Sequence, residues 1–198
     1  MRKILISILF LIFSTITSYA DQFYAGIDIA QISLDTGVSN ISANLDEDDT
    51  LMKFTGGYNV NENVSIEAFY LDFGQASLSG VSGNRFSYKG STYQFTATGT
   101  IYLTADTMGV GGKYNFYRSK NKKTSAYLLG GMHSWDIVIG VSSATSSDNV
   151  TTTGTDPYYG FGANYAISEN LKANISYQNY EMDSESIDGF VLGFEYDF

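Results

Sequence analysis

Eight stretches of this chain put bulky apolar residues on every second position, the repeat of a β-strand with one apolar face. In the first, Phe23, Ala25, Ile27 and Ile29 share one face, and Tyr24, Gly26, Asp28 and Ala30 share the other. In the second, Met52, Phe54, Tyr58 and Val60 oppose Lys53, Thr55, Gly57 and Asn59. The third sets Val64, Ile66, Ala68 and Tyr70 against Ser65, Glu67 and Phe69. The fourth sets Met108, Val110, Tyr114 and Phe116 against Gly109, Gly111, Lys113 and Asn115. In the fifth, whose phase is less clear, Tyr127, Leu129, Trp135, Ile137 and Ile139 oppose Gly130, Met132, Ser134 and Asp136. The sixth places Tyr159, Phe161, Ala163, Tyr165 and Ile167 against Gly160, Gly162 and Asn164. The seventh places Leu171, Ala173, Ile175 and Tyr177 against Lys172, Asn174, Ser176 and Gln178. The last, GFVLGFEYDF, alternates Phe190, Leu192, Phe194, Tyr196 and Phe198 with small or charged residues.

The connections alternate in length. Those near 61–63, 118–123 and 168–170 are short; those near 35–49, 75–100, 142–155 and 181–186 are long and polar. Short turns on one side and long loops on the other describe an up-and-down antiparallel barrel with an even strand count. A soluble barrel would turn its apolar alternate inward. Here the other alternate is small or polar, which suits the narrow interior of eight strands. The apolar ring then faces lipid, and closure satisfies every backbone group, as hydrocarbon requires. Tyr58, Tyr114, Phe116, Tyr165, Tyr196 and Phe198 fall near the short-turn ends, where an interfacial aromatic girdle belongs. The expected fold is all-β: an eight-stranded up-and-down antiparallel transmembrane β-barrel.

Composition supports this picture. Tyr (16), Phe (13) and Gly (20) are abundant and Pro occurs once, as suits long uninterrupted strands. The chain opens MRKILISILFLIFSTITSYA: Arg2 and Lys3, an apolar core, then small residues before a cut after Ala20. That is the pattern of a secretory signal peptide over 1–20, leaving the barrel over 21–198. No Cys follows the cut, so no lipoprotein anchor is expected. Two basic residues leave with the signal, so nine basic face 21 acidic residues, a net charge of −12. Such a chain does not suit nucleic acid. With no Cys and one His, neither disulfides nor a zinc site is expected, and no cofactor is implied.

The motifs resemble those of the OmpA-like outer-membrane proteins of Gram-negative bacteria, in their eight-stranded transmembrane domain. FYAGIDIA resembles the first strand of that family, and FTGGYNVNENVSIEAFYLDFG its second hairpin. LGGM at 129–132 resembles the fifth strand, and DPYYGFGANYAISENLKANISYQ the sixth strand, turn and seventh strand. The terminal Phe194, Tyr196 and Phe198 resemble the signal by which the barrel-assembly machinery recognises such strands. The resemblance implies a cell outer membrane location, with lipid and lipopolysaccharide as surroundings. Two departures stand out. The chain stops at the barrel, so the family's peptidoglycan-binding domain and a cell-wall tether are not expected. Glu67 matches one of the family's interior acids, but Asp28 stands where the family has Lys, and Asn164 and Asn174 where it has an acid and Arg.

Asp28, Lys53, Glu67 and Lys113 are expected to point inward. They form either an ion-paired plug or the lining of a narrow path, and buried charge favours pairing. His133 and Ser134 are adjacent, so on a strand they point to opposite faces and do not form a base–nucleophile pair; the chain is not expected to be an enzyme. LDEDD at 45–49 suits either a divalent cation or, more simply, a solvated loop. RSKNKK at 118–123 is a basic periplasmic turn, with anionic headgroups as an alternative to plain solvation. The long 75–100 loop is the place for surface ligands. The expected role is structural and surface-interacting, adhesin-like; the alternative is a narrow porin-like channel for ions or small solutes.

Overall fold

The computed structural model describes residues 22–32, 38–46, 51–88, 90–144, 146–183 and 185–198. The expected signal segment 1–20 and the acidic residues 47–49 lie outside the described residues. In chain order the strands are β1 (Phe23–Ile32), β2 (Val38–Asn40), β3 (Asn44–Asp46), β4 (Leu51–Asn59), β5 (Val64–Gly80), β6 (Arg85–Tyr88), β7 (Ser91–Gln94), β8 (Gly99–Arg118), β9 (Thr124–Ser143), β10 (Ser147–Ala166), β11 (Leu171–Met182) and β12 (Glu185–Asp197).

Eight of these close into an antiparallel ring, β1-β4-β5-β8-β9-β10-β11-β12. The seam joins the first strand to the last, from Tyr24 opposite Asp197 to Ile32 opposite Gly189. The three turns expected to be short, near 61–63, 118–123 and 168–170, are tied by short polar side chains, which compete well for backbone groups. Asn61 Oδ1 accepts from the amides of Asn63 and Val64, each at 2.9 Å. Asn121 and Ser119 serve the β8–β9 turn, and Ser168 Oγ accepts from Leu171 N at 3.1 Å.

On the outer face every ring strand carries an exposed apolar residue at mid-height: Ile27, Phe54, Ile66, Val110, Leu128, Phe161, Ile175 and Phe194. A continuous apolar belt this wide is what hydrocarbon asks of a barrel. On β8 it runs from Phe116 to Met108 and then stops at Asp106. Asp106 is flanked in register by Asp72 of β5 and Asp136 of β9, which mark the upper limit of the belt.

Three expectations are corrected. First, the stretches near 75–100 and 142–155 are largely strand. β8, β9 and β10 each run 20 residues, about twice the 9–11 that cross a bilayer. The β9–β10 connection shrinks to 144–146, and the β11–β12 connection, expected to be long over 181–186, shrinks to 183–184, with Met182 paired to Glu185. Above the belt neither face need be apolar, so the alternation vanishes while the hydrogen-bonded ladder continues. β3 joins β5 there, and β2, β6 and β7 form a small separate sheet.

Second, β9 has the opposite phase. Tyr127, Leu129 and Trp135 are buried in the interior, and Leu128 and Met132 face out. Third, the interior is not uniformly small and polar. Its upper half is an aromatic cluster containing Phe69, Phe73, Trp135, Tyr158 and Tyr180.

Inward glycines explain how these rings fit. Tyr24 lies directly opposite Gly57, Phe69 opposite Gly109, Tyr127 opposite Gly162 and Trp135 opposite Gly154. In each pair the ring occupies the space that a glycine Cβ would take. Tyr158 likewise crosses the paired Gly111 and Gly131.

A Cβ at Gly111 would meet the Tyr158 hydroxyl and stand 2.5 Å from the Gly130 carbonyl oxygen, whereas at the outward Gly112 the nearest contact is 3.8 Å. Gly111→Ala is therefore expected to destabilise the barrel by about 1–3 kcal/mol, the usual cost of overpacking. Gly112→Ala should stay within about 0.5 kcal/mol. Urea unfolding in lipid vesicles, followed by tryptophan fluorescence, measures both.

Candidate functional site

The lower half of the interior, toward the short turns, is built from inward residues of β1, β4, β5, β8, β9, β11 and β12. Asp28 (β1), Lys53 (β4), Glu67 (β5) and Lys113 (β8) are all buried there. Each finds a hydrogen-bond partner elsewhere in the ring. Lys113 Nζ meets Glu195 Oε2 of β12 at 2.5 Å and stands 4.4 Å from the centre of the Tyr24 ring. Lys172 Nζ meets the other Glu195 oxygen at 3.1 Å and Asp197 at 2.7 Å. Tyr24 donates its hydroxyl to Glu67 at 3.0 Å. Asn174 donates to Asp28 at 2.9 Å.

Lys53 donates to Gln178 Oε1 at 2.8 Å and stands 4.5 Å from the centre of the Phe69 ring. Gln178 passes the network on, donating to Ser176 at 2.7 Å and accepting from Tyr180 at 2.5 Å. Among these side chains a cavity of about 20 Å³ remains, room for roughly one water.

The upper half closes over this layer. Tyr158 and Tyr180 stack with centroids 5.8 Å apart at 13°, and Phe69 presents its edge to both. Phe73 meets Tyr180 nearly perpendicularly, at 88°. Such aromatic pairs add about 0.5–1.5 kcal/mol each beyond the area they bury. Together the two layers fill the bore.

His133 belongs to the filling. Its Nε2 donates to the Glu181 carbonyl at 2.9 Å, and Nδ1 lies 2.7 Å from the Thr107 hydroxyl. Ser134 is on the outer face, bonded to Thr155 at 3.0 Å. The two residues therefore point to opposite sides of the wall. Of LDEDD, Leu45 and Asp46 belong to β3, and among the described residues no group of three metal-competent side chains converges. Phe194, Tyr196 and Phe198 share the outer face of β12, with the last two rings 5.3 Å apart.

The sequence pattern put Lys172, Asn174, Gln178 and Glu195 on the inward alternate without giving them a role. Asn174, Gln178 and Glu195 partner Asp28, Lys53 and Lys113, whereas Lys172 meets Glu195 and Asp197, and Glu67 is met by Tyr24. Which inward residues meet is set by the stagger of the ring, a relation the strand period alone does not carry.

Residues 4–198 match the sequence profile of the outer membrane protein β-barrel domain. The chain belongs to that family. It is an outer-membrane β-barrel of the OmpA-like, eight-stranded kind. Among solved structures it is similar to Ail, the attachment invasion locus protein of Yersinia pestis, in complex with the heparin analogue sucrose octasulfate. Identity is 16%, the match covers 89% of this chain and 98% of that one, and the TM-score is 0.56. The outer membrane protein OprG of Pseudomonas aeruginosa gives 13% identity over 91% of this chain and 97% of that one, at a TM-score of 0.55. The N-terminal β-barrel domain of Pseudomonas aeruginosa OprF gives 14% identity, 90% and 98% coverage and 0.50. At these identities the likeness is one of fold. No curated protein matches the chain by sequence.

The buried Lys113–Glu195 contact generates a prediction. Lys113→Met leaves Glu195 with Lys172 alone and is expected to cost about 3 kcal/mol, the low end for breaking a buried pair. Lys113→Met combined with Glu195→Gln should recover part of that loss. A double-mutant cycle by urea titration reads the coupling.

Proposed function

We propose that this protein is a non-conducting outer-membrane barrel whose function is carried by the sheet it raises above the lipid. The observation that carries this reading is the unpaired upper edge of β10. β11 covers β10 only from Tyr158 to Ala166, so residues 147–157 pair with β9 on one side and, among the described residues, with no strand on the other. The stretch reads SDNVTTTGTD, with three threonines after a valine and no Lys. Soluble proteins guard such edges with bulges, Lys or Pro. Here Pro157 stands only at the foot, and the register with β9 runs from 147 to 165 without a shift.

An edge of this kind offers main-chain donors and acceptors to an extended segment of another protein. Pro157 has no N–H to give β9, so its nitrogen faces the open edge. By alternation the amides of Thr151, Thr153 and Thr155 face the same way. The filled bore favours this surface role over the porin-like alternative, since a conducting path would need both interior layers to move.

The partner's charge follows from the surroundings. Among the described residues, those above the belt include Asp46, Asp72, Asp106, Asp136, Asp148 and Asp156, against Arg85. An extended segment bearing Lys or Arg suits this surface, and a sulfated polyanion does not. Within the same reading, the signal is cut near Ala20 and the assembly machinery recognises Phe194, Tyr196 and Phe198. Lipopolysaccharide surrounds the upper belt, and the protein is not an enzyme.

Two outcomes are expected. In planar bilayers the refolded protein gives no steady conductance, and Glu67→Gln does not change that. Steady current altered by Glu67→Gln would move the porin reading into first place. Thr151→Pro with Thr153→Pro removes open-edge donors but leaves the β9 ladder. It should reduce adhesion of expressing cells to a protein-coated surface by about tenfold or more. Adhesion equal to the parent would sink the edge as the contact.

A further inference from the structure

The opposite end of the barrel carries the reverse charge. Arg118, Lys120, Lys122 and Lys123 crowd the β8–β9 turn, while the other two turns at this end contribute Glu62 and Glu169. Arg118 is engaged with Glu62, its guanidinium donating to the Glu62 carbonyl and lying 3.7 Å from the carboxylate. The three lysines are exposed, and among the described residues their amines make no hydrogen bond or ion pair.

The turn is rigidly placed. Asn115 N donates to Asn63 O of the β4–β5 turn at 2.8 Å, and Ala166 N of β10 donates to Lys123 O at 2.7 Å. Lys122 takes a left-handed φ of 57°, which tightens the reversal.

The strand leading into the turn is irregular in a telling way. Pairing with β9 skips from Asn115–Tyr127 to Tyr117–Ala126, so Phe116 is the extra residue of a bulge. In a regular strand neighbours face opposite sides. Here Phe116 and Tyr117 are 57% and 55% exposed. With Tyr114 above and Tyr165 on β10, opposite Thr124, they frame the turn with four exposed aromatics. Aromatic rings at headgroup depth beside flexible cations are the two halves of a lipid-headgroup contact. Anionic headgroups add about a fivefold preference for each Lys held near them.

We propose that the β8–β9 turn is a binding site for anionic phospholipid headgroups of the periplasmic leaflet. Lys120, Lys122 and Lys123 contact the phosphates, and Phe116, Tyr117 and Tyr165 hold the acyl–headgroup boundary. The site occupies one sector of the circumference, because the other two turns carry carboxylates.

The test uses the refolded protein in nanodiscs of phosphatidylethanolamine with one-fifth phosphatidylglycerol; native mass spectrometry counts the lipids retained on gentle release. The parent is expected to retain phosphatidylglycerol at several times its bulk share. Lys120→Gln, Lys122→Gln and Lys123→Gln together should return it to the bulk share, and the corresponding Arg replacements should keep the enrichment. Heat-modifiable gel mobility confirms that each variant is folded. Retention in bulk proportion by the parent would overturn the proposal, as would enrichment that survives the triple Gln change. Binding to purified cell-wall sacculi that the triple Gln change abolishes, with lipid retention unaltered, would reassign the turn to an anionic wall polymer.

Discussion

The rest of the structure depends on how little room eight strands enclose. A side chain entering from one wall must find empty space opposite, and glycine provides it. Tyr24 over Gly57, Phe69 over Gly109, Tyr127 over Gly162 and Trp135 over Gly154 repeat one solution around the ring. Each pair covers a strand position that would otherwise lack cross-strand packing. The same narrowness forces Lys113 and Lys53 against aromatic faces as well as polar partners. The interior is thus solid without being greasy throughout. Polar groups lie toward the turns and aromatic rings toward the loops.

That layering separates two jobs. The lower layer binds strands distant in sequence through charge-assisted contacts, such as Lys113 with Glu195, which are stronger than neutral ones when water is excluded. The upper layer seals the bore and supports the sheet above it. Trp135 does both at the boundary, filling the space over Gly154 and donating its indole N–H to Asp156 at 2.7 Å. The bulge between Asp72 and Gln75, with Gly74 at a φ of 71°, falls where the apolar belt ends. The wall changes there from a lipid-clad cylinder to an open sheet.

Lipid forced the outer face into a pattern that can be read directly: Ile27, Phe54, Ile66, Val110, Phe161, Ile175 and Phe194 all lie on the outer face expected of them. β9 resisted because Leu128, Leu129 and Met132 supply apolar residues in both phases around two glycines, so the period carries no sign. The extent of β10 was hidden for another reason. Residues 147–153 are wet on both faces, so nothing selects alternation, and only the ladder to β9 makes them strand. The four inward charges were legible as inward. Their partners were not, because Glu195 meets Lys113 across 82 residues and through the stagger of the whole ring. Adjacent Phe116 and Tyr117 were legible as aromatic, but the bulge that turns both outward leaves no mark in a two-residue period.

The seam between β1 and β12 has a kinetic consequence. Phe198 N donates to Phe23 O at 3.0 Å, so the two ends of the ring meet only when the last strand has been placed. Until then β1 has a bare edge on the side that β12 will cover. Seven contacts join strands that are neighbours in the ring's chain order, but the eighth spans nearly the whole length and must wait for all the others. Closure is therefore a single late event, and a change that disturbs β12 should leave an open, adhesive ribbon rather than a smaller barrel.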